Sequence, residues 1–309
     1  MMMNSIINDD VMNVFPDLDD ESAQIIIADP PYNIGKDFGD GKYSKELDTY
    51  LDWCEEWITQ CLRILKSNGT LFIYGFSEIL AFVRTRVPLE LECRWLIWHY
   101  TNKQVPSLNF WQRSHESILA ISKNKKERIF HRDEVREPYT DAFLNNAAGK
   151  VRKSTKGRFS SGKKETTYNA HKKGALPRDV IKIGALAGGA GLERVSYCKT
   201  CEEALKGKEK KDHEDQGHEI EVHQTQKPLE LCEKLIVSCR QDDGYLFVPF
   251  VGTGSECVSA KKLGVPFIGV EKNPIYVKLS NSRLIKFADD SDIEDKNSRQ
   301  TNIGEFSKK

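Results

Sequence analysis

The chain has 309 residues, enough for one large domain or for one domain carrying an insertion. Its 46 basic and 46 acidic residues cancel, so total charge points to no partner and only its distribution can. No run of about 18 apolar residues and no leading apolar segment with a cleavage site is present, which predicts a soluble, cytoplasmic protein with no membrane partner.

In chain order, residues 5–8 predict a short strand ending at Asp9-Asp10, and residues 10–15 a short helix. Gln24 to Ala28 is an apolar, β-branched run that reads as a buried strand. Lys36 to Ser44 is a glycine-rich, charged loop, either a mobile lid or plain surface. From Lys45 to Leu65 the apolar residues fall at helical spacing, and Ser67-Asn68-Gly69 is expected to stop that helix. Strands are expected at 70–75, 95–100 and 117–121, with a helix over 77–86. Periodicity fades near Lys123 and returns at Gln226. There follow a helix over 229–239, a strand over 245–248, a helix near 255–263, a strand over 266–270 and a helix over 274–287. Strands alternating with helices predict an α/β fold with a doubly wound, mainly parallel sheet. The division expected is 1–123 and 223–287 as two halves of one domain, 124–222 as an inserted region, and 288–309 as a disordered tail. Of the eight cysteines, Cys54, Cys61, Cys93, Cys232, Cys239 and Cys257 sit in apolar or helical contexts and read as reduced core residues.

Two stretches carry chemistry. Asp29-Pro30-Pro31-Tyr32 follows the strand over 24–28, and the prolines end it. A carboxylate, two rigid prolines and an aromatic ring are thus placed at a strand's C-terminal end, where open α/β sheets bind ligands. The group suits a flat nucleobase whose amino group is presented to a methyl donor. The second stretch, Phe250-Val251-Gly252-Thr253-Gly254-Ser255, joins a strand to a helix. Glycines allow a ligand close to the backbone, and the helix N-terminus offers free N–H groups. Glu271 closes the next strand, where a carboxylate can accept from both hydroxyls of a ribose. Cys257 stands where a dinucleotide fingerprint has its third glycine. That weakens a nicotinamide or flavin reading and leaves adenosine ligands without pyrophosphate; a purely structural turn is the bland reading.

Asp29-Pro30-Pro31-Tyr32, then Gln224-Thr225-Gln226-Lys227-Pro228-Leu229-Glu230, then the Gly252/Gly254 turn and Glu271 resemble the amino-methyltransferases of DNA. The order of the motifs is similar to their permuted β class, and His115-Glu116-Ser117-Ile118-Leu119 matches a further family feature. The resemblance implies a Rossmann-like methyltransferase fold, S-adenosyl-L-methionine as methyl donor, double-stranded DNA as substrate and an inserted target-recognition region. It also implies a restriction–modification setting, with a homodimer and a cognate restriction enzyme as candidate partners. Asp29, Pro30, Pro31 and Tyr32 would be catalytic, on a base flipped from the duplex. Asp29 and the Pro30 carbonyl would accept the two amino N–H groups, favouring a pyramidal, nucleophilic nitrogen, and Tyr32 would stack on the base. The donor pocket would combine Asp10 near the adenine, Glu271 on the ribose, Phe250, Gly252, Thr253, Gly254 and Ser255 in the turn, and Thr225 and Lys227 near the methionine end. Thr225 serves equally as a helix cap. Asp at the first motif position implies adenine N6; cytosine N4 and a catalytically silent DNA-binding subunit are the alternatives. One position departs: Val248 stands where the family usually has an acid that anchors the donor's amino-acid end, shifting that task to Asp29, Lys227 and nearby backbone.

The middle of the chain adds two features. Residues 150–173 hold nine Lys or Arg against one Glu, a positive footprint suited to phosphates, with a solvated linker as the plain reading. Arg152, Arg158, Asn169 and Arg178 are the base-reading candidates there, and the glycines and serines suggest partial disorder without DNA. Cys198-x2-Cys201-x11-His213-x4-His218 has spacing close to a Cys2His2 structural zinc site. A ligand set including His223, or no metal, are the alternatives, because the intervening residues are mostly Lys and Glu.

Overall fold

The computed structural model describes residues 2–33, 36–37, 42–43, 46–102, 107–158 and 161–287. Strand β1 (Ser5–Asn8) leads into helix α1 (Val11–Val14), which Asp10 caps by accepting the Met12 N–H at 3.0 Å. Strand β2 (Ala23–Ala28) is buried along its whole length and ends at Asp29. Short strands β3 (Lys36–Asp37) and β4 (Lys42–Tyr43) pair with each other, while the rest of the expected lid lies outside the described residues. Helix α2 (Leu47–Ile64) runs straight into β5 (Leu65–Gly75). Helix α3 (Ser77–Thr85), β6 (Glu92–His99) and β7 (His115–Ser122) follow.

The middle of the chain holds α4 (Asp141–Asn146), the hairpin β8 (Val151–Lys153) and β9 (Glu165–Thr167), and β10 (Val180–Lys182). Strands β11 (Val195–Cys198), β12 (Glu203–Lys206) and β13 (Ile220–Glu221) make a separate three-stranded sheet, with α5 (Lys208–Asp215) between the last two. The chain returns through α6 (Leu229–Cys239), β14 (Leu246–Val248), α7 (Ser255–Lys262), β15 (Phe267–Glu271) and α8 (Pro274–Phe287). The expected tail, 288–309, lies outside the described residues.

The main sheet has the order β1-β15-β14-β2-β5-β7-β6-β10. All its pairings are parallel except the two made by β7. It is the α/β, doubly wound, mainly parallel sheet that the alternation implies. The side-chain period of two divides β2 between two cores. Ala23, Ile26 and Ala28 face Tyr50, Trp57, Ile58 and Val83 of α2 and α3. Ile25 and Ile27 face Leu231, Leu235 and Val258 of α6 and α7. The six cysteines expected in the core are all free thiols, five buried and Cys93 half-buried.

Three local expectations change. Ser67-Asn68-Gly69 does not separate helix from strand. The ladder steps from Ala23 opposite Leu65 to Ile25 opposite Thr70, so these residues form a bulge inside β5. Gly69 is needed there because a Cβ would lie 2.6 Å from the Gln24 carbonyl oxygen. Second, Val180–Lys182, expected in the insertion, is the edge strand of the main sheet, parallel to β6. Third, the basic stretch is not featureless: β8 and β9 pair across it with their side chains exposed.

Candidate active site

Four adjacent parallel strands, β1, β15, β14 and β2, end on one edge of the sheet. At or just beyond their C-terminal ends stand, in that order, Asp10, Glu271, Phe250 and Asp29. At the usual strand spacing this row is about 14 Å long. Strand β7 runs the other way, so its beginning, not its end, reaches the same edge and delivers Glu116.

Asp29 is the centre of a nearly dry polar cluster. Lys227 Nζ donates to both Asp29 oxygens, at 2.9 and 2.8 Å, and lies 3.5 Å from a Glu116 oxygen. The Tyr32 hydroxyl donates to Asp29 Oδ1 at 2.7 Å and lies 3.2 Å from Glu116. Tyr100 donates to the other Glu116 oxygen at 2.6 Å. Lys227 is 4% exposed, Asp29 16% and Glu116 15%, so the ammonium is matched by two carboxylates almost out of water. Burial works against the Lys227 charge, but Asp29 and Glu116 outweigh it and raise its pKa above the ordinary lysine range. Burial, then Asp29, push the Tyr32 hydroxyl up, so it stays protonated. The Tyr32 ring is itself packed, edge-on to Phe76 at 5.2 Å, with 7% of the residue exposed. Pro30 is buried, and the Pro31 carbonyl accepts from the Tyr50 hydroxyl at 3.0 Å. Tyr50 is on α2, so that helix steadies the Pro-Pro turn.

The glycine turn adopts the conformation that glycine permits. Gly252 and Gly254 have φ of +53° and +77°, and a Cβ on Gly254 would lie 2.8 Å from Ser280 Cβ. The missing third glycine is made good on the neighbouring strand. Cys257 packs toward Gly269, where a Cβ would lie 3.0 Å from its sulfur and 2.6 Å from Val251. Glu271 Oε2 accepts the Gly252 N–H and Oε1 the Asn273 N–H, each at 2.8 Å. The Phe250 ring meets Trp57 edge-on at 5.4 Å and Trp53 at 5.7 Å. Ser255 Oγ donates to the Lys227 carbonyl at 2.7 Å, tying the turn to the strap that carries the lysine. Thr253 is held through its carbonyl by Arg283 Nη1 at 3.0 Å. Thr225 donates its N–H to His223 Nδ1 at 3.3 Å. Val248 is buried on β14 among apolar neighbours.

Glu116, Arg283 and Glu256 also belong to this neighbourhood, beyond the residues that the motifs mark. Glu116 was visible only within the family stretch 115–119. Arg283 is 1% exposed on α8, and its signal was a guanidinium among apolar helix positions. Glu256 is fully buried under the turn, and burial, then Asp29, push its carboxyl up to about 7.

The profile described as DNA methylase, of the N6/N4 type, matches residues 23–282. The chain belongs to the DNA methylase family. The methylase is 25% identical to the Type II methyltransferase M.HpaI of Haemophilus parainfluenzae over 287 residues, covering 92% of this chain and 74% of that one. It is 26% identical over 287 residues to the DNA adenine methyltransferase YhdJ of Escherichia coli, covering 91% and 82%. Among solved structures it shares the fold of the cytosine-N4-specific PvuII DNA methyltransferase, with a TM-score of 0.58 at 16% identity, over 96% of this chain and 91% of that one. It also shares the fold of a putative DNA modification methylase of Thermus thermophilus complexed with S-adenosyl-L-methionine, with a TM-score of 0.52 at 16% identity, covering 91% and 93%. No described helix of the methylase is long and apolar enough to cross a membrane.

Away from this edge, Cys198, Cys201, His213 and His218 come together, with one ligand atom from each within 4.8 Å of the others. His223 is not among them; its ring lies edge-on to Tyr276 at 4.7 Å, beside Gly252. Arg152, Arg158, Asn169 and Arg178 are all exposed, at varied places in the middle of the chain.

Proposed function

We propose that the chain is a site-specific DNA methyltransferase that moves a methyl group from S-adenosyl-L-methionine to N6 of an adenine flipped from double-stranded DNA. The observation that carries this reading is the Asp29–Lys227–Tyr32–Glu116 cluster at one end of a row that continues through Phe250 and Glu271 to Asp10. The order of that row follows the order of the donor's parts. Asp10 would face the adenine, Glu271 the ribose hydroxyls, Phe250 and Gly252–Ser255 the body of the ligand, and Lys227 with Thr225 the methionine end. His223 and Ser280 pack close against Gly252 and Gly254 and fix the shape of this turn. Asp10 caps α1 through Oδ1, while its Oδ2 lies 3.9 Å from Lys272 Nζ, a pairing that a ligand N–H would have to share. Glu271 would exchange backbone donors for hydroxyls as the ribose enters.

S-adenosyl-L-methionine, when bound, supplies the electrophilic methyl group on its sulfonium. The chain's own residues prepare the nitrogen. Oδ1 of Asp29 already receives Lys227 and Tyr32, whereas among the described residues Oδ2 receives Lys227 alone. Oδ2 therefore has an acceptor site to spare for one amino N–H, and the Pro30 carbonyl takes the other. Two acceptors draw the lone pair out of conjugation and balance the positive charge that grows on nitrogen. Lys227 and Tyr32 hold the carboxylate in place, and Glu116 in turn faces both of them, so little is left to reorganise. The packed Tyr32 ring offers an edge of the base site rather than a free stacking platform. The exposed lysines of the middle segment (Lys163 and Lys172 among them) would supply phosphate contacts, and Arg152, Arg158, Asn169 and Arg178 remain the base-reading candidates. The Type II names of several relatives support a modification partner role beside a restriction enzyme, and the proposal includes a homodimer on the DNA.

The test is transfer of labelled methyl from the donor to DNA, followed by digestion to nucleosides. Labelled N6-methyladenine is expected, and Asp29→Ala should abolish it. Label in N4-methylcytosine would overturn the choice of base. DNA binding with no label would leave a silent binding module.

A further inference from the structure

We propose that Cys198, Cys201, His213 and His218 hold one structural zinc ion, and that this ion fixes the strap carrying Lys227. Neither part rests on the methyltransferase reading. The first support is geometric. His218 Nδ1 lies 3.6 Å from Cys198 Sγ, 3.5 Å from Cys201 Sγ and 3.1 Å from His213 Nδ1. One imidazole nitrogen has one proton or one lone pair, so it cannot satisfy three partners as hydrogen bonds. A tetrahedral zinc, with bonds of about 2.3 Å to sulfur and 2.0–2.1 Å to nitrogen, requires S···N edges of about 3.6 Å and an N···N edge of about 3.3 Å. The two S···N edges, 3.6 and 3.5 Å, have that length, and the N···N edge of 3.1 Å is slightly shorter. Two thiolates and two imidazoles in a tetrahedron are a zinc set.

The surroundings are those of a ligand set. Cys198 ends β11, and Cys201 lies in the turn before β12, where Glu202 takes φ +57°. The Cys201 N–H donates to Cys198 Sγ at 3.3 Å, as suits a thiolate. The other nitrogen of His213 is 3.7 Å from a Glu203 carboxylate oxygen, the orienting contact that metal-bound histidines commonly have. The second support is what is lacking underneath. Helix α5, which carries His213, buries none of its residues. Surface ion pairs such as Lys210–Glu214 at 3.3 Å contribute little. Metal ligation supplies the anchor that apolar burial does not.

The staple reaches the active edge through two short links. Val195, Tyr197 and Ala204 of the small sheet pack on Tyr276, Leu279 and Phe287 of the long C-terminal helix, α8. At the start of β11, Val195 donates its N–H to Gln226 Oε1 at 2.9 Å, and Gln226 Nε2 donates to the Glu193 carbonyl at 3.1 Å. The Glu193 carboxylate accepts the Leu229 N–H at 2.8 Å. Gln226 and Leu229 flank Lys227-Pro228.

The test uses the full chain, purified with reductant from zinc-supplemented cells. Metal analysis should give about one zinc per chain for this stoichiometry. Cobalt exchanged into the wild-type protein should show the visible bands of a tetrahedral site with thiolate charge transfer. His218→Gln or Cys201→Ser should lose both; should either variant fail to fold, the cobalt exchange decides. Zinc content near zero with no cobalt spectrum, or a Cys198–Cys201 disulfide in the reduced preparation, overturns the site. The strap is read by hydrogen exchange. Stripping the metal should speed exchange at the Val195 and Leu229 amides about tenfold or more. Unchanged rates there, with zinc shown to be bound and removed, overturn the second part. Neither measurement depends on methyl transfer, so failure here is distinct from failure of the proposed activity.

Discussion

Replacing Lys227 with methionine keeps the length of the side chain and removes its charge. In the native protein its ammonium makes two contacts of 2.9 and 2.8 Å to Asp29, one of 3.0 Å to the Tyr32 oxygen and one of 3.5 Å to Glu116. Without it, two carboxylates, 16% and 15% exposed, stand in one largely buried site with no cation between them. Removing one partner of a buried ion pair costs about 3–5 kcal/mol, because the remaining charge stays desolvated. In a domain of this size that is a fall in melting temperature of roughly 6–20 °C. Thermal and urea unfolding measure it. The pairing itself is read from a double-mutant cycle. Asp29→Asn should cost less in the Lys227→Met background than in the wild type, by about 2 kcal/mol. Methyl transfer should be lost in the single variant even where it remains folded. If Lys227→Met changes stability by less than about 0.5 kcal/mol, or the two changes simply add, the cluster is not held by this ion pair.

Other expectations can be measured independently. Glu256 has a folded pKa raised from the ordinary carboxyl range to about 7, so the folded state holds its proton more tightly than the unfolded chain. Its burial therefore costs nothing below the ordinary carboxyl pKa, and destabilises progressively as pH rises from there to about 7, levelling off above at about 3 kcal/mol. Glu256→Gln should leave stability near pH ~4 unchanged and raise the melting temperature near pH ~8; an equal shift at both would sink the assignment. Gly254→Ala forces a side chain into the left-handed region against Ser280, and should cost about 1–2 kcal/mol together with weaker donor binding, read by calorimetry. Lys163→Ala and Lys172→Ala, both exposed, should each lower the slope of log affinity against log salt by about 0.9, across all DNA sequences alike. A slope unchanged in both would remove the basic segment from the DNA interface.

The sheet elements were legible because local signals agreed with their burial. Pro228 opens α6, and apolar spacing carries α8 to Phe287, so both helices match the sequence expectation in full. Strand β10 was not legible: Val180–Lys182 is three residues long, buries only Ile181, and owes its place to pairing with β6. The bulge at 66–69 was misread because Ser-Asn-Gly is turn chemistry in isolation, and the Gln24 backbone, distant in sequence, decides otherwise. The site divides in the same way. Asp29 to Tyr32 and the glycine turn announce themselves locally. Glu116 reaches Lys227 only through the reversed strand, and a hydrogen bond between such remote positions leaves no pattern in either neighbourhood. Asp10 was visible, but the structure adds that it already serves as the α1 cap.

The reversal of β7 has a bearing on how this scaffold can vary. Because β6 and β7 are antiparallel neighbours, the hairpin between them opens on the same edge as Asp29. Arg113, at its base, lies 4.3 Å over the Phe76 ring that touches Tyr32. Further out, Leu108, Phe110 and Trp111 project with 80% or more of their surface exposed. A hairpin tip can gain or lose residues without altering the ladder register behind it. Here such an indel would rebuild the surface beside the Asp29 cluster and leave the cluster itself untouched, so this tip is a natural place to graft a different reach or grip onto an unchanged core.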